Sequence, residues 1–235
     1  MNPFFYTPSF DQILITDNLS SEKPIDLLAT NQTKAIELEN AMRETRPNHE
    51  KFLQLFNKIG NNNPIIYETR KGTPITAMYL AASMGHLRMV EFIRDKLINK
   101  NPPLRITGRT PLHVAAQRGC LDVIECIFEC LWKEHRNPTD ENGITPLHLA
   151  ATFGQLEALK MFLKENVGKN PASFVDKKTP FHLAAEYGMF NIIEYLADIL
   201  PPNQLNDKSN SGESALDYAR KNGHNNVVAF LEAII

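Results

Sequence analysis

Three histidines are the residues of this 235-residue chain with the clearest capacity for chemistry. His113, His148 and His182 each stand at the end of a Thr-Pro-Leu-His or Thr-Pro-Phe-His motif. Imidazole side chains bind zinc or transfer protons. Because the motif recurs, the three rings are expected about one helix-packing distance of 8–10 Å apart, which is too far to share one ion. We therefore predict neither a metal site nor a catalytic set from these histidines.

The cysteines are the second candidate for chemistry. Cys126 and Cys130 are four residues apart on a predicted helix, with Cys120 and His135 nearby, and this spacing could in principle hold a metal ion. No Cys-x-x-Cys pair completes a zinc set, and cysteine commonly serves as a small buried apolar residue. The chain also lacks a nucleophile-elbow motif and a glycine-rich phosphate loop. We predict that the protein is not an enzyme and needs no cofactor.

Composition limits the remaining function classes. The 25 basic and 27 acidic residues give a net charge of −2, so neither nucleic acid nor an anionic membrane is an expected partner. No stretch approaches the ~18 apolar residues of a membrane span, and the first residues lack a secretory pattern. Three cysteines without paired spacing suit a reducing compartment. We expect a cytoplasmic protein, with a nuclear location as the alternative.

An internal repeat organises most of the chain. Five similar segments are spaced 34 or 35 residues apart and begin at Thr76, Thr110, Thr145, Thr179 and Ser214. The threonine or serine is suited to cap a helix, and a following proline is suited to its first position. A glycine recurs at the same position of every repeat, and it is suited to end the first helix in a left-handed conformation. These glycines are Gly85, Gly119, Gly154, Gly188 and Gly223. The pattern predicts a first helix, a turn and a second helix in every repeat.

The second helices are predicted to bury an apolar stripe against their neighbours. One row of the stripe is Val90, Ile124, Leu159, Ile193 and Val228, and the other is Ile93, Ile127, Phe162, Leu196 and Leu231. Three-residue spacing between the rows places them on one helical face. Because no single repeat can bury this face alone, we predict that the repeats stack.

The N-terminal part departs from the repeat. Residues 31–66 fit a degenerate capping repeat, with helices over 34–43 and 49–59. Residues 1–30 contain prolines and aromatic residues but no helix caps in step, which leaves two alternatives, a loose tail or an arm folded onto the stack.

The Thr-Pro-Leu-His-x-Ala motif and its period resemble the ankyrin-repeat family over residues 72–235. The resemblance implies an all-α ankyrin-repeat solenoid of paired antiparallel helices, with short loops or β-turns between repeats. It also implies that each motif histidine is structural and bonds the threonine of its own motif. These structural pairs are Thr110 and His113, Thr145 and His148, and Thr179 and His182.

The resemblance further implies a concave partner-binding surface, built from the residue before each motif and from the helix positions before each glycine. Its members here are Met84, Arg109, Gln117, Arg118, Ile144, Thr152, Phe153, Lys178, Glu186, Tyr187 and Lys221. Phe153 and Tyr187 make a predicted exposed aromatic pair, unless they are scattered surface residues or the N-terminal arm covers them. The predicted function is a monomeric, non-catalytic adaptor or scaffold that binds another protein. The alternative is the regulatory or targeting portion of a larger enzyme, channel or transcription factor.

Overall fold

The computed structural model of the chain describes residues 36–42, 49–59, 65–68, 73–132, 135–165 and 170–235. The chain divides into two compact units, residues 1–77 and residues 78–235. The predicted N-terminal arm or tail, residues 1–30, lies outside the described residues, so its role stays a prediction.

The described part of the N-terminal unit contains two helices and a strand pair. Its elements are α1 (36–42), α2 (His49–Ile59), β1 (Ile65–Glu68) and β2 (Pro74–Thr76). The two strands pair antiparallel, with Ile65 opposite Thr76. The sequence pattern did not predict these short strands.

Apolar side chains of both helices are buried in this unit. Leu38 and Met42 of α1 are fully buried, and Phe52 and Phe56 of α2 place their ring centroids 5.5 Å apart. The capping role of residues 31–66 stays a prediction.

Each of the five repeats supplies a first and a second helix. In order they are α3 (Ala77–Ser83) and α4 (Leu87–Lys96), α5 (Pro111–Arg118) and α6 (Leu121–Phe128), α7 (Pro146–Thr152) and α8 (Leu156–Lys164), α9 (Pro180–Glu186) and α10 (Phe190–Ile199), and, after the short α11 (Pro202–Leu205), α12 (Ala215–Lys221) and α13 (Asn225–Ile234). Successive first helices α5, α7, α9 and α12 pack side by side. The predicted all-α stack of helix pairs is confirmed.

The first helices begin as their caps dictate. Thr145 is extended, at φ −108° and ψ 165°, and Pro146 occupies the first helical position, where its missing N–H is not needed. Ser214 caps α12 in the same way without a proline.

Glycines end the first helices for two reasons. Gly119 and Gly188 have φ of +69° and +71°, a conformation that side chains with a Cβ resist. The next repeat also approaches closely, since a Cβ on Gly188 would lie 2.5 Å from Nδ1 of His224. The sequence predicted the conformational reason, and the structure adds the steric one.

The predicted apolar stripe forms the core of the stack. Fully buried side chains make up the row Ile93, Ile127, Phe162, Leu196 and Leu231. The other row is also buried except at its last member, because Val228 is half-buried and Val227 is fully buried in its place. Burial of one repeat's stripe therefore depends on the neighbouring repeat.

Candidate functional site

Each Thr-His motif caps the N-terminus of its own first helix. The backbone N–H of Thr145 donates to Nδ1 of His148 at 3.1 Å, and the backbone N–H of His148 donates to the Thr145 hydroxyl at 3.4 Å. The Thr110–His113 and Thr179–His182 pairs have the same reciprocal arrangement. These bonds satisfy N–H groups that have no partner within the helix.

The same histidines also join successive repeats. Since Nδ1 accepts a hydrogen bond, the proton lies on Nε2, which donates to a backbone carbonyl of the following repeat. The distances are 2.9 Å from His113 to Ile144, 3.2 Å from His148 to Lys178 and 2.9 Å from His182 to Asp207. Burial lowers the pKa of His113 and of His148 from 6.5 to about 4, so both rings are neutral at pH 7.

Hydrogen bonds close the turns that precede the first helices, and we call these turns fingers. They comprise residues 104–109, 140–144, 173–178 and 209–213, each closed by a backbone hydrogen bond between its ends. In finger 140–144, Oδ1 of Asp140 accepts the N–H groups of Asn142 and Ile144 at 2.9 and 3.0 Å. Internal bonds of this kind fix the loop before any partner arrives.

Neighbouring fingers are bridged by backbone hydrogen bonds. The N–H of Glu141 donates to the Thr107 carbonyl at 3.2 Å, and the N–H of Phe174 donates to the Asn142 carbonyl at 2.9 Å. The N–H of Asn210 donates to the carbonyl of Asp176 at 2.8 Å in the next pair. The fingers therefore form one continuous row.

Three asparagines anchor the chain before the helices, and the repeat pattern did not predict them. Asn101, Asn137 and Asn170 accept the N–H of the second residue of α5, α7 and α9 at 3.0, 3.3 and 3.2 Å. The signal was present as an Asn-Pro pair in each connection.

The predicted partner-binding residues differ in exposure. Tyr187 is 42% exposed and Lys221 is exposed, whereas Gln117 and Lys178 are buried at 3% and 5% exposure. The others are partly buried; these are Met84, Arg109, Arg118, Ile144, Thr152, Phe153 and Glu186. We therefore leave Gln117 and Lys178 out of the surface that a partner can contact.

Lys178 is buried because its side chain makes contacts within the protein. Its Nζ lies 2.7 Å from Oε2 of Glu186 and 4.4 Å from the centre of the Tyr218 ring. In the next repeat, Nζ of Lys221 lies 2.9 Å from Oε1 of Glu213. Both ion pairs join a finger to the first helix eight residues later.

Apolar side chains at the finger tips were also missed. Phe174 and Val175 are 68% and 64% exposed, and Ile106 is 45% exposed. Phe174 lies against Gly143, where a Cβ would clash with its ring. These residues extend the apolar area beyond the helix positions that the motif identifies.

Cys126 has surroundings that do not favour reactivity. Cys126 is buried, and Nη1 of Arg94 donates to its sulfur at 3.1 Å. Burial raises the pKa of the Cys126 thiol to about 11, so it stays protonated at pH 7.

Among the described residues, no group of three His, Cys, Asp or Glu side chains could hold a metal ion. None of the helices in the described ranges is both long and apolar enough to cross a bilayer.

Comparison with known proteins gives the family. The sequence pattern described as ankyrin repeats matches residues 41–130, 98–174, 126–206 and 167–233. Among curated proteins, the chain is similar to alpha-latrotoxin-Lh1a of Latrodectus hasselti, at 28% identity over 127 residues, and to alpha-latrotoxin-Lt1a of Latrodectus tredecimguttatus, at 29% over 127 residues. Each match covers 54% of this chain and 9% of the toxin. Since the repeat pattern matches most of the sequence, the chain belongs to the ankyrin-repeat family, whose repeats are protein–protein interaction modules.

Proposed function

We propose that this protein is a non-catalytic adaptor or scaffold that binds a partner protein through the concave surface of its repeats. The surface consists of the fingers and of the C-terminal ends of the first helices. Its accessible members are Met84, Arg109, Arg118, Ile144, Thr152, Phe153, Glu186, Tyr187 and Lys221.

The observation that carries the proposal is the aromatic pair of repeats 3 and 4. Phe153 and Tyr187 are the residues that end α7 and α9, so they occupy equivalent positions in adjacent repeats. Met84 and Arg118 continue the row at the same position of repeats 1 and 2. Aromatic residues and arginine dominate the energetics of protein interfaces.

The hydrogen bonds of the fingers support the same proposal. Their internal bonds at Asp140 and their mutual backbone bonds fix the surface in the free protein. Binding then costs less conformational entropy, because the repeat surface has little flexibility to lose when the partner binds. The partner is expected to gain affinity from this preorganisation.

The proposal is tested by the double substitution Phe153→Ala with Tyr187→Ala. Tagged wild-type and variant proteins are used to capture partners from native cells, and the captured proteins are identified by mass spectrometry. Trp132→Ala is the matched control, because Trp132 is an aromatic residue at 77% exposure outside this row.

We expect the double variant to lose proteins that the wild type and the control both retain. Its helical circular dichroism and melting temperature should stay close to wild type, since Tyr187 is exposed and Phe153 is only partly buried. Unchanged capture, or a much earlier melting transition that identifies the rings as core residues, would refute the proposal.

A second candidate is a regulatory or targeting portion of a larger protein. It is favoured by the similar toxins, in which the matched part is only 9% of the length. Both candidates use the same surface.

Free cysteines at Cys120, Cys126 and Cys130 support the expected cytoplasmic location. The protein is expected to be monomeric in the absence of its partner.

A further inference from the structure

The penultimate residue of each finger has a left-handed backbone conformation. In three fingers it is a glycine, with φ of +68° at Gly108, +76° at Gly143 and +77° at Gly212. In finger 173–178 it is Lys177, at φ +53°, and no other non-glycine residue in the described part of the chain has a positive φ. A side chain with a Cβ is strained in this conformation, so lysine is less favourable for folding here than glycine.

Contacts within the protein do not offset this strain. Lys177 is exposed, and its ammonium group makes no hydrogen bond or ion pair with the residues that the structure describes. The charges beside it are paired, since Oδ1 of Asp176 accepts the N–H of Lys178 at 3.0 Å and Nζ of Lys178 lies 2.7 Å from Oε2 of Glu186. Strained residues accumulate at functional sites. The charge of Lys177 is therefore available to a partner.

Two exposed apolar residues lie in the same turn as Lys177. Phe174 and Val175 are 68% and 64% exposed. The backbone on both sides of them is bonded, because the N–H of Phe174 donates to the Asn142 carbonyl at 2.9 Å and Nδ2 of Asn210 donates to the Val175 carbonyl at 2.7 Å. We call Phe174, Val175 and Lys177 the repeat 4 tip. It presents an apolar surface beside a positive charge.

The neighbouring fingers leave the charge of the repeat 4 tip uncompensated. Glu141 is the exposed acidic residue of the preceding finger, and its Cγ lies 3.4 Å from the position of a Cβ on Gly108. Its side chain therefore extends toward finger 104–109, which lies on the other side from Lys177. The following finger has the uncharged residues Asn210 and Ser211 at its tip.

We infer that the repeat 4 tip binds an extended segment of the partner in which a large apolar residue and an aspartate or glutamate are two positions apart. The apolar side chain covers Phe174 and Val175, and the carboxylate pairs with Lys177. A four-residue turn spans less than about 7 Å, and an extended chain covers that distance in about two residues, whose side chains lie on one face. The inference rests on the proposed partner-binding function and adds the chemistry of the partner.

The first test is selection of random linear 12-residue peptides, displayed on phage, against the full chain. Selected peptides should contain the apolar and acidic pair more often than the unselected library does. Replacing the acidic residue by its amide, or the apolar residue by alanine, should weaken a synthetic peptide about tenfold or more in fluorescence polarisation. No enrichment of the pair, or peptides that keep their affinity after both replacements, would overturn the inference.

The second test is Lys177→Gly, which gives this finger the residue that the other three fingers have. The selected peptide should bind about tenfold more weakly, while the urea midpoint of the variant should not fall, because glycine relieves the left-handed strain. Lys164→Ala removes an exposed lysine of α8 and is the control, which should leave the affinity unchanged. Equal affinity of wild type and Lys177→Gly would overturn the inference.

Charge reversal separates a direct ion pair from an indirect effect. Lys177→Glu should weaken the selected peptide more than Lys177→Gly does. A peptide whose acidic residue is replaced by lysine should bind Lys177→Glu better than it binds wild type. Failure of this exchange to restore binding would refute the ion pair at the repeat 4 tip.

The aromatic pair of the proposed function distinguishes the two proposals. Peptides weakened by Phe153→Ala with Tyr187→Ala, but not by Lys177→Gly or Phe174→Ala, would refute the repeat 4 tip and leave the proposed function standing. Peptides weakened by the tip variants alone would support the tip and refute the role of the aromatic pair. Peptides insensitive to all of these substitutions would refute both.

Discussion

Acidification should weaken this protein through the histidines that join its repeats. Burial lowers the pKa of His113 and of His148 from 6.5 to about 4 in the folded state. Between these values the unfolded chain binds more protons than the folded chain, so stability is lost as the pH falls. At 1.36 kcal/mol for each unit, the free energy of unfolding decreases by about 2 kcal/mol per histidine between pH 7 and pH 5, or about 4 kcal/mol for both.

Urea denaturation followed by circular dichroism at pH 7, 6 and 5 measures this loss. His148→Gln should reduce the loss by about 2 kcal/mol, because glutamine at this position can still bond the N-cap backbone N–H but does not titrate. The contribution of His182, whose pKa is also lowered by burial, remains in this variant. His135→Gln, at an exposed site in a connection between repeats, is the control and should keep the full loss. Asp217 does not confuse the result, since hydrogen bonds from Ser214 lower its pKa to about 2, and its contribution is lost only below pH 3.8. Equal stability at pH 7 and pH 5, or an unchanged slope in His148→Gln, would refute the reasoning.

Two further predictions concern stability and are checked by urea denaturation. Phe162→Ala should lower the free energy of unfolding by about 3–5 kcal/mol, because Phe162 is fully buried and its ring contacts Phe128 edge to face at 5.2 Å; a loss below about 1 kcal/mol would contradict its place in the core. Gly188→Ala should cost clearly more than Gly212→Ala: both glycines have positive φ, worth about 1–2 kcal/mol each, but only Gly188 has a close neighbour, His224. Equal losses in the free energy of unfolding for the two variants would contradict the steric argument, because they would show that the His224 side chain can move away from the added Cβ.

The repeat made the helix pairs predictable from the sequence. Thr145 and Pro146 fix where α7 begins, and Gly154 fixes where it turns, because each requires a particular backbone geometry. The same positions recur in step, so every repeat confirms the interpretation of the others. The family and the helical stack could therefore be inferred without coordinates.

Exposure at the candidate site was less predictable. Gln117 and Lys178 occupy motif positions that face a partner in the predicted scheme, yet both are buried. Burial depends on which side chains stand beside them; Lys178, for example, is covered by its contacts with Glu186 and Tyr218. Position within a repeat does not specify these neighbours.

Exposure at the finger tips was not predictable from the sequence either. Phe174 is an apolar residue that a periodic pattern assigns to no helix face, and its 68% exposure follows from its place in a turn closed by backbone hydrogen bonds. Strands β1 and β2 were missed because they are only four and three residues long, which is too short for a clear alternating pattern.

The central claim is that the fingers and first helices, and not the second helices, hold the partner. Hydrogen–deuterium exchange of the chain with and without a captured partner tests it most directly. We predict slower exchange in residues 140–153 and 174–187 on binding, and no change in α8 and α10. Protection confined to α8 and α10, with the fingers unaffected, would contradict the account.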